Sequence, residues 1–320
     1  MNNKILIIGG DPNSINSEII FKSWKKLNKN LKKRIFIVSN FSLIQNQFKK
    51  LDYKIKVSEV EDLNEKNNFD LKILNIDLKF KDPFKVPKKE ASKFVINSLN
   101  LAHRLGLRKD VIGIINCPIN KKLLKKPKIG VTEFLANKCN IKDNSEVMLI
   151  KCKSFAVCPL TTHIDVKDIA KKINIKLITN KIKTIYFWYR KYLNKNPKIG
   201  ILGLNPHNAE FRNKSEEVAI ITPSIKRLKQ AKIKIAGPLV SDTIFIDQYK
   251  KYDVIVGMYH DQVLSPFKAL FKFDAINATL GLKYLRVSPD HGTAENLIKK
   301  NRANPLSLMK CIEFLNKFQK

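Results

Sequence analysis

Short apolar runs alternate along the chain with longer stretches in which apolar residues recur every three or four positions. The runs predict buried β-strands at residues 4–8, 34–38, 55–57, 71–76, 111–116, 146–152, 154–158, 198–203 and 254–256. The periodic stretches predict helices at residues 18–28, 41–51, 90–105, 132–138, 166–173, 180–193, 215–230, 293–300 and 305–318, with a short helix ending near residue 250. Strands that alternate with helices are typical of an α/β fold with largely parallel strand pairing.

Local side-chain signals add detail to this pattern. Ser17 is expected to cap the first helix, because a serine oxygen can accept a hydrogen bond from a free backbone N–H group there. The Gly-Pro pair near the end of residues 233–238 predicts the start of a loop. An aromatic stripe in the helix at 180–193 is expected to belong to the core or to a subunit interface rather than to a cofactor site; its members are Tyr186, Trp188, Tyr189 and Tyr192.

The size and composition of the chain exclude several classes of protein. Its 320 residues, 44% of them hydrophobic, suffice for two domains or one large α/β domain. It has no run of about 18 apolar residues, and its amino terminus lacks the pattern of a secretory signal. The five scattered cysteines show no CxxC pattern, which is typical of reduced thiols. We therefore expect a cytoplasmic protein that makes no membrane contact.

The net charge of +33, from 61 basic and 28 acidic residues, raises the question of nucleic-acid binding. The lysines, however, are spread over the whole length of the chain rather than gathered in a tail or patch. The sequence contains no RNA-binding aromatic motif and no helix-turn-helix pattern. A generally basic surface explains the charge better, so that no specific nucleic-acid partner is expected and a nucleic-acid-binding protein is a remote alternative.

The most informative stretch covers residues 253–292. It opens with the predicted strand 254–256, which ends at the polar motif MYHDQ, residues 258–262. Polar groups just past the carboxyl end of a strand are where open α/β sheets bind ligands. Cationic, amide and acidic groups follow in the same stretch, namely Lys268, Asn277, Arg286, Asp290 and His291. This combination favours a site for an anionic substrate over a single structural histidine.

Three histidines each follow a predicted strand by a few residues: His163, His207 and His260. They lie too far apart in sequence to share a helix, but they would converge if their strands ended at one edge of a sheet. Three imidazoles leave room for water or substrate on a metal ion, as in a catalytic zinc site. Asp165, Glu210 and Asp261 are expected to orient the rings. Spacing alone, however, is explained better by scattered structural histidines.

Local sequence motifs favour a functional role for the three histidines over a structural one. They are TTH at 161–163, GLNPHNAE at 203–210, GPL at 237–239 with SDT at 241–243, MYHDQ at 258–262 and DHGTA at 290–294. Together they resemble the 4-hydroxythreonine-4-phosphate dehydrogenase family of pyridoxal phosphate biosynthesis. The resemblance runs in order from about residue 8 to residue 310 and is strongest from 199 to 294.

The resemblance implies a fold and a domain organisation. The family has two α/β/α subdomains around a cleft, similar to isocitrate and isopropylmalate dehydrogenases. Residues 1–127 and 276–320 are expected to form the first subdomain, and residues 128–275 the second, which would carry most of the metal site and the dimer interface. Because this fold does not use a GxGxxG fingerprint, its absence from the sequence does not argue against NAD.

The resemblance also implies metal and dinucleotide cofactors. His163, His207 and His260 match the family's ligands for a divalent metal, which would be zinc, magnesium or cobalt. The family shares this site between the two subunits of a homodimer. NAD or NADP is the expected dinucleotide, with His291, Gly292, Thr293 and Ala294 as cofactor-binding residues.

The implied substrate is small and phosphorylated. The implied reaction is oxidation of 4-phosphooxy-L-threonine at C3, followed by decarboxylation to 3-amino-2-oxopropyl phosphate. The substrate-binding positions are Thr132, Lys268, Asn277 and Arg286, and the catalytic ones are Lys268, Asp242 and Lys121. Lysine and arginine are suited to this substrate because they can bind its anionic groups.

Three departures from the family pattern leave alternatives open. Val131 stands where the family usually has a histidine beside the matching threonine, and valine cannot donate a hydrogen bond. Ser14 and Asn16 replace glycines of the amino-terminal loop, and Lys299 and Asn301 replace glycines of the loop that surrounds the adenine in related dehydrogenases. The chain could thus be a paralogous dehydrogenase with another phosphorylated or carboxylated hydroxy acid as substrate, or a phospho-ligand binder without activity.

Overall fold

A computed structural model of the chain describes residues 3–65, 70–124, 130–143, 145–272 and 274–318. These residues form two compact units. Unit 1 comprises Met1–Lys138 and Lys283–Lys320, and unit 2 comprises Cys139–Leu282. Of the two expected subdomain boundaries, the one between residues 127 and 128 falls outside the described residues. The other, between residues 275 and 276, lies within unit 2, and both boundaries stay a prediction.

The first part of unit 1 alternates strands and helices. Its elements are β1 (Lys4–Ile8), α1 (Asn16–Lys26), α2 (Lys29–Arg34), β2 (Ile35–Ser39), α3 (Phe41–Lys50), β3 (Val57–Val60), β4 (Leu71–Asn75), α4 (Lys88–Gly106), β5 (Val111–Asn116) and α5 (Val131–Lys138). The apolar runs at 4–8 and 111–116 thus form strands as expected.

Unit 2 follows in the chain. Its elements are β6 (Val147–Lys151), β7 (Ala156–Pro159), α6 (Ile169–Lys172), α7 (Ile175–Leu193), β8 (Ile199–Leu202), α8 (Thr222–Gln230), β9 (Ile235–Leu239), α9 (Ser241–Ile244), β10 (Val254–Gly257), α10 (His260–Phe271) and β11 (Ile276–Leu280). The chain then returns to unit 1 with β12 (Leu285–Pro289) and α11 (Leu306–Asn316).

The sheet of unit 1 has the strand order β3-β4-β2-β1-β5-β12, and all of its neighbouring strands are parallel. Every residue of β2 and nearly every residue of β1 is buried, because helices cover such a sheet on both faces. Helix α4 packs on β1, β2 and β5, whereas α1 contacts α3 and α11.

The sheet of unit 2 has the strand order β11-β6-β7-β10-β8-β9. Strand β6 is antiparallel to both of its neighbours, and the remaining pairs are parallel. Helix α10 packs on β7 and β10, and Phe155, Val263 and Phe267 join the buried cluster beneath it. The α/β prediction is therefore confirmed, and pairing is largely parallel as expected.

Several local expectations are wrong. Ser17 does not cap α1, because the helix begins at Asn16, two residues earlier than expected, and the cap position is Ile15. The segment from residue 233, predicted to begin a loop, instead contains β9. A Gly-Pro pair has a low propensity for strand structure, but the pairing of β9 with β8 outweighs it. The predicted helix 293–300 is only the 3₁₀ turn Glu295–Leu297. Strands β11 and β12 and helix α2 are not predicted by the sequence pattern.

The aromatic stripe, the cysteines and the helices can each be compared with the sequence. In the aromatic stripe of α7, Trp188 and Tyr189 are buried core residues, whereas Phe187 beside them is exposed. All five cysteines are buried free thiols, as expected for a reduced protein. Within the described ranges, no helix combines the length and the apolar composition that a membrane span requires.

Candidate functional site

Four neighbouring strands of unit 2 end at the same edge of its sheet. Strands β7, β10, β8 and β9 are parallel and adjacent in that order. The segments that follow their carboxyl ends contain His163, His260, His207 and Asp242, respectively. Parallel pairing therefore brings the three histidine-bearing loops to one edge, which is where open α/β sheets bind ligands.

Two of the three histidines form a close pair. The ring centroids of His163 and His260 lie 6.0 Å apart, with 37° between the ring planes. Two imidazoles that bind one ion through metal–nitrogen bonds of about 2.1 Å have centroids about 5–6 Å apart. Nδ1 of His260 lies 2.6 Å from Oδ1 of Asp261, one of the acidic residues expected to orient the rings. An N–H donated there leaves Nε2 available for an ion.

His207 does not join this pair in a three-ligand group. Among the residues that the structure describes, no cluster of three or more His, Cys, Asp or Glu side chains could hold a metal ion. His207 is exposed and lies in the turn Pro206–Phe211, after β8. One chain therefore supplies two imidazoles suited to an ion, and a third from elsewhere would complete the expected set.

The turn that carries His207 has an unusual backbone. Five consecutive residues without a glycine have φ between 47° and 58°, in the left-handed region: His207, Asn208, Ala209, Glu210 and Phe211. Each such residue costs roughly 1–2 kcal/mol, because its Cβ approaches the following carbonyl oxygen. Strain of this kind persists only when surrounding contacts hold it, and it is concentrated at functional sites.

Two buried polar residues hold this turn. Nδ2 of Asn208 donates to the carbonyl of Pro238 over 3.1 Å, which ties the turn to β9. The carboxylate of Glu217 accepts from the backbone N–H groups of Leu204 and Asn205, both over 2.8 Å. Burial alone would raise the pKa of Glu217, but the hydrogen bonds from Asn205 and Leu204 outweigh it and lower the pKa. The approach to His207 is thus fixed by an ionised carboxylate.

The other predicted residues of unit 2 lie on three different elements. Asp242 is exposed in the first turn of α9. Lys268 is exposed on α10, about 12 Å further along the helix axis than His260. Asn277 lies on β11, in register with Ile150 of β6. Its half-buried side chain has an oxygen, Oδ1, that no donor in the described part of the chain contacts.

Arg286 and Thr132, two predicted substrate residues of unit 1, lie together. Arg286 is 4% exposed on β12; its Nε donates to Oδ1 of Asn116 over 2.5 Å, and its Nη1 to Oγ1 of Thr132 over 3.4 Å. Burial lowers the pKa of Arg286 to about 10, which leaves it charged at neutral pH. Val131, the position of the missing family histidine, is half-buried beside Thr132 at the start of α5.

Asp11 is a buried acid that sequence reasoning missed. It follows β1 and accepts from the backbone N–H groups of Asn13 over 2.9 Å and Asn120 over 3.3 Å. It thereby joins the loops after β1 and β5, the second of which leads to Lys121, an exposed residue. Burial raises the pKa of Asp11 to about 6, despite these hydrogen bonds. The sequence feature that could have identified Asp11 as a site residue is its position just past the predicted strand 4–8.

The predicted cofactor residues follow β12. Nδ1 of His291 lies 3.0 Å from the carbonyl of Gly292, and its buried Nε2 has no hydrogen-bond partner in the described ranges. The carbonyl of Thr293 accepts from the N–H of Ile15 over 3.3 Å, next to the amino-terminal loop. Gly292 is exposed, and Ala294 has a φ of 47°. A polar imidazole nitrogen without a partner is a suitable contact for a ligand.

The glycine replacements behave differently in the two loops. Lys299 and Asn301 have φ values of 64° and 52°, so that the backbone keeps the left-handed geometry that glycine adopts without strain. Ser14 and Asn16 are not among the positive-φ residues, and their side chains bond the loop instead. Oγ of Ser14 donates to the carbonyl of Asp11 over 2.6 Å, and Nδ2 of Asn16 donates to that of Pro118 over 2.8 Å.

Comparisons with known proteins identify the family of the chain. The family model described as pyridoxal phosphate biosynthetic protein PdxA matches residues 31–315. The chain belongs to the PdxA family. A 4-hydroxythreonine-4-phosphate dehydrogenase of Sulfurihydrogenibium sp. is 36% identical over 319 residues, which is 97% of this chain and 96% of the relative. The enzyme of the same name from Aquifex aeolicus is 35% identical over 98% of both chains.

A solved structure supports the same assignment. The crystal structure of 4-hydroxythreonine-4-phosphate dehydrogenase from Klebsiella pneumoniae superimposes with a TM-score of 0.84 at 25% identity, covering 98% of this chain and 99% of that chain. The family resemblance seen in the sequence is therefore confirmed. Within this PdxA family member, the structure brings His163 to His260 and Arg286 to Thr132, whereas His207, Asp242, Lys268 and Asn277 lie on separate segments of unit 2.

The left-handed turn predicts an unusual response to glycine. Ala209→Gly should raise the free energy of unfolding by about 1 kcal/mol, because glycine adopts a positive φ without steric cost. Ala269→Gly, on the exposed face of α10, is the matched control and should lower it by about 1 kcal/mol. Urea unfolding of both variants measures the difference; equal losses would show that residue 209 does not have a left-handed backbone.

The buried Asp11 predicts a pH-dependent stability. Between its ordinary pKa of 3.8 and about 6, the folded protein retains a proton that the unfolded chain releases. The contribution of Asp11 therefore falls as the pH rises through this window, by up to about 3 kcal/mol. Asp11→Asn cannot titrate but keeps an acceptor for Asn13. Its stability relative to wild type should rise from pH 4 to pH 7 in urea unfolding, and a constant difference would contradict the raised pKa.

Proposed function

We propose that this chain is a metal-dependent 4-hydroxythreonine-4-phosphate dehydrogenase linked to NAD or NADP. It would oxidise 4-phosphooxy-L-threonine at C3, and decarboxylation of the product would give 3-amino-2-oxopropyl phosphate for pyridoxine 5'-phosphate biosynthesis. Similarity to enzymes of that name over nearly the full length supports the reaction. The observation in the structure that carries the proposal is the pair formed by His163 and His260, spaced for one ion.

The metal centre would be shared between two copies of the chain. His163 and His260 fit a divalent ion such as zinc or cobalt, for which imidazole nitrogen is a favourable ligand; magnesium prefers oxygen ligands. No third ligand group joins them among the described residues of one chain, and all three histidines are at least partly exposed. A second copy contributing His207 would complete the set and cover these exposed side chains, which supports a homodimer.

The remaining residues would bind the substrate and handle protons. The bound ion would act as a Lewis acid on the hydroxyl that is oxidised, and the bound dinucleotide would accept the hydride. Arg286, charged and positioned by Asn116, would pair with an anionic substrate group, and Thr132 beside it would add a hydrogen bond. Lys268 and Asn277 are the other two expected substrate-binding residues, and residues 291–294 would contact the dinucleotide.

Proton transfer would fall to exposed ionisable side chains. Lys268, Asp242 and Lys121 are exposed, and each can exchange a proton with solvent as the hydroxyl loses its own. Loss of a hydride and a proton converts the C3 alcohol to a ketone, and the resulting β-keto acid loses carbon dioxide readily. The residues therefore need to orient the substrate, to accept the proton of the hydroxyl, and to return a proton to the carbon from which carbon dioxide leaves.

One observation favours a second candidate function, a dehydrogenase for a different substrate. Val131 lies beside Thr132, where the family histidine would contact the substrate, and its half-buried apolar side chain donates no hydrogen bond. A substrate with an apolar group at that point would fit better there. A third candidate is a phospho-ligand binder, in which the same site would bind its ligand without converting it.

The metal proposal predicts the effect of removing one ligand. His260→Ala should abolish stoichiometric zinc binding and reduce NADH formation from 4-phosphooxy-L-threonine more than about 100-fold, because a missing ligand weakens metal affinity more than the 10- to 100-fold typical of a supporting residue. Elemental analysis and steady-state kinetics measure the two effects.

His103→Ala provides the matched control for this experiment. His103 belongs to unit 1, where its Nδ1 lies 3.0 Å from the hydroxyl of Tyr284. Its replacement by alanine should therefore leave the metal content unchanged. Wild-type metal content in both variants would refute the assignment of the ligands. Metal and substrate binding without NADH or NADPH formation in the wild type would favour the binder instead.

The Val131 observation predicts opposite outcomes for the two dehydrogenase candidates. If 4-phosphooxy-L-threonine is the substrate, Val131→His should raise kcat/KM about 10-fold or more, since a hydrogen bond to a charged group is worth roughly 1.5–3 kcal/mol. If the native substrate is apolar there, the change should lower activity on that substrate. Val131→Ala controls for lost packing, and the same kinetics for all three proteins would show that residue 131 does not face the substrate.

A further inference from the structure

The side chain of Gln262 joins three of the loops at the carboxyl edge of the unit 2 sheet. Gln262 is half-buried in the first turn of α10. Its Oε1 accepts from the backbone N–H of Met258 over 2.6 Å. Its Nε2 donates to the carbonyl of Gly203 over 2.7 Å and to Oγ of Ser241 over 2.8 Å. One amide thus connects the chain after β10, β8 and β9.

Each of these contacts lies next to a candidate site residue. Met258 precedes His260 by two positions, Gly203 opens the loop that leads to His207, and Ser241 directly precedes Asp242. The fourth loop is joined through Met258, whose carbonyl accepts from the hydroxyl of Thr161 over 2.7 Å, two residues before His163. All four segments that carry the candidate residues are therefore bonded to Gln262 or to its immediate partner.

The chemistry of these contacts requires glutamine. The amide offers one acceptor, used by Met258, and two N–H donors, used by Gly203 and Ser241. Glutamate has no donor for the Gly203 carbonyl, and asparagine is one methylene shorter. A glutamine at the third helical position commonly reaches back to the N-terminal backbone of its own helix. Here the contact with Met258 does so, and the two N–H groups reach the neighbouring loops.

We propose that Gln262 is a positioning residue of the metal centre. It sets the positions of the loops that carry His163, His207, His260 and Asp242, so that each copy presents its imidazoles to the shared centres before an ion binds. This inference rests on the metal site proposed above, but it assigns to Gln262 a role that acts through other residues, since its own amide is already occupied by three protein groups.

The test measures zinc binding by the purified full-length protein after chelator treatment. Gln262→Met keeps the length of the side chain but removes all three hydrogen bonds, and it should raise the Kd for zinc in isothermal titration calorimetry 10- to 100-fold. Gln262→Glu keeps the acceptor for Met258 and provides a second variant if the first does not fold; it should weaken zinc binding at least 10-fold. Ser265→Ala, on the exposed side of α10, should bind as wild type does.

A second control separates positioning from general destabilisation. Leu264→Ala removes a buried side chain from the same helix without touching the amide, and it should lower Tm at least as much as Gln262→Met does. Its Kd for zinc should stay within about threefold of wild type.

The outcomes are distinct. Zinc binding by Gln262→Met at the wild-type Kd, or equal weakening by Leu264→Ala, would overturn the positioning role while leaving the metal site intact. Failure of the wild type to bind zinc would refute the proposed metal site and this inference with it. Weaker binding by both Gln262 variants alone supports the proposal.

Discussion

Parallel strand pairing is the constraint on which the rest of this structure depends. Neighbouring parallel strands all end at the same edge of a sheet, so that the loops after β7, β8, β9 and β10 must lie side by side. The candidate histidines and Asp242 occupy these loops, although they are distant in sequence. In unit 1 the same rule brings together the segments after β1, β5 and β12, including Asp11 and residues 291–294.

Burying polar groups at the carboxyl edge of a sheet costs desolvation free energy, and hydrogen bonds with neighbouring residues offset part of that cost. Buried charges are each satisfied by named partners: Glu217 by the amides of Leu204 and Asn205, and Arg286 by Asn116 and Thr132. The strain in the left-handed turn around His207 is likewise held by the bond from Asn208 to Pro238. Glu217, Arg286 and Asn208 are thus each bonded to neighbouring residues of the same unit.

The departures from the family pattern can be interpreted in the same terms. A glycine is needed either for a positive φ or for space, and the two altered loops differ in this respect. At Lys299 and Asn301 the backbone has a positive φ and its strain is tolerated, whereas at Ser14 and Asn16 side-chain hydrogen bonds hold the loop. These four replacements are therefore compatible with the family fold. Val131 differs from them, because its apolar side chain offers no hydrogen bond in place of the histidine that the family resemblance leads us to expect.

The sequence by itself determined the α/β class, the family and most strands and helices, because apolar runs such as residues 4–8 and 111–116 and the motifs around the histidines are local signals. Only the tertiary structure decided which of those residues meet. The contact between Arg286 and Asn116, the pairing of His163 with His260 and the strands β9, β11 and β12 depend on partners far along the chain. The burial that raises the pKa of Asp11 and the three bonds of Gln262 are likewise absent from any local pattern, since they arise only when separate strands end together.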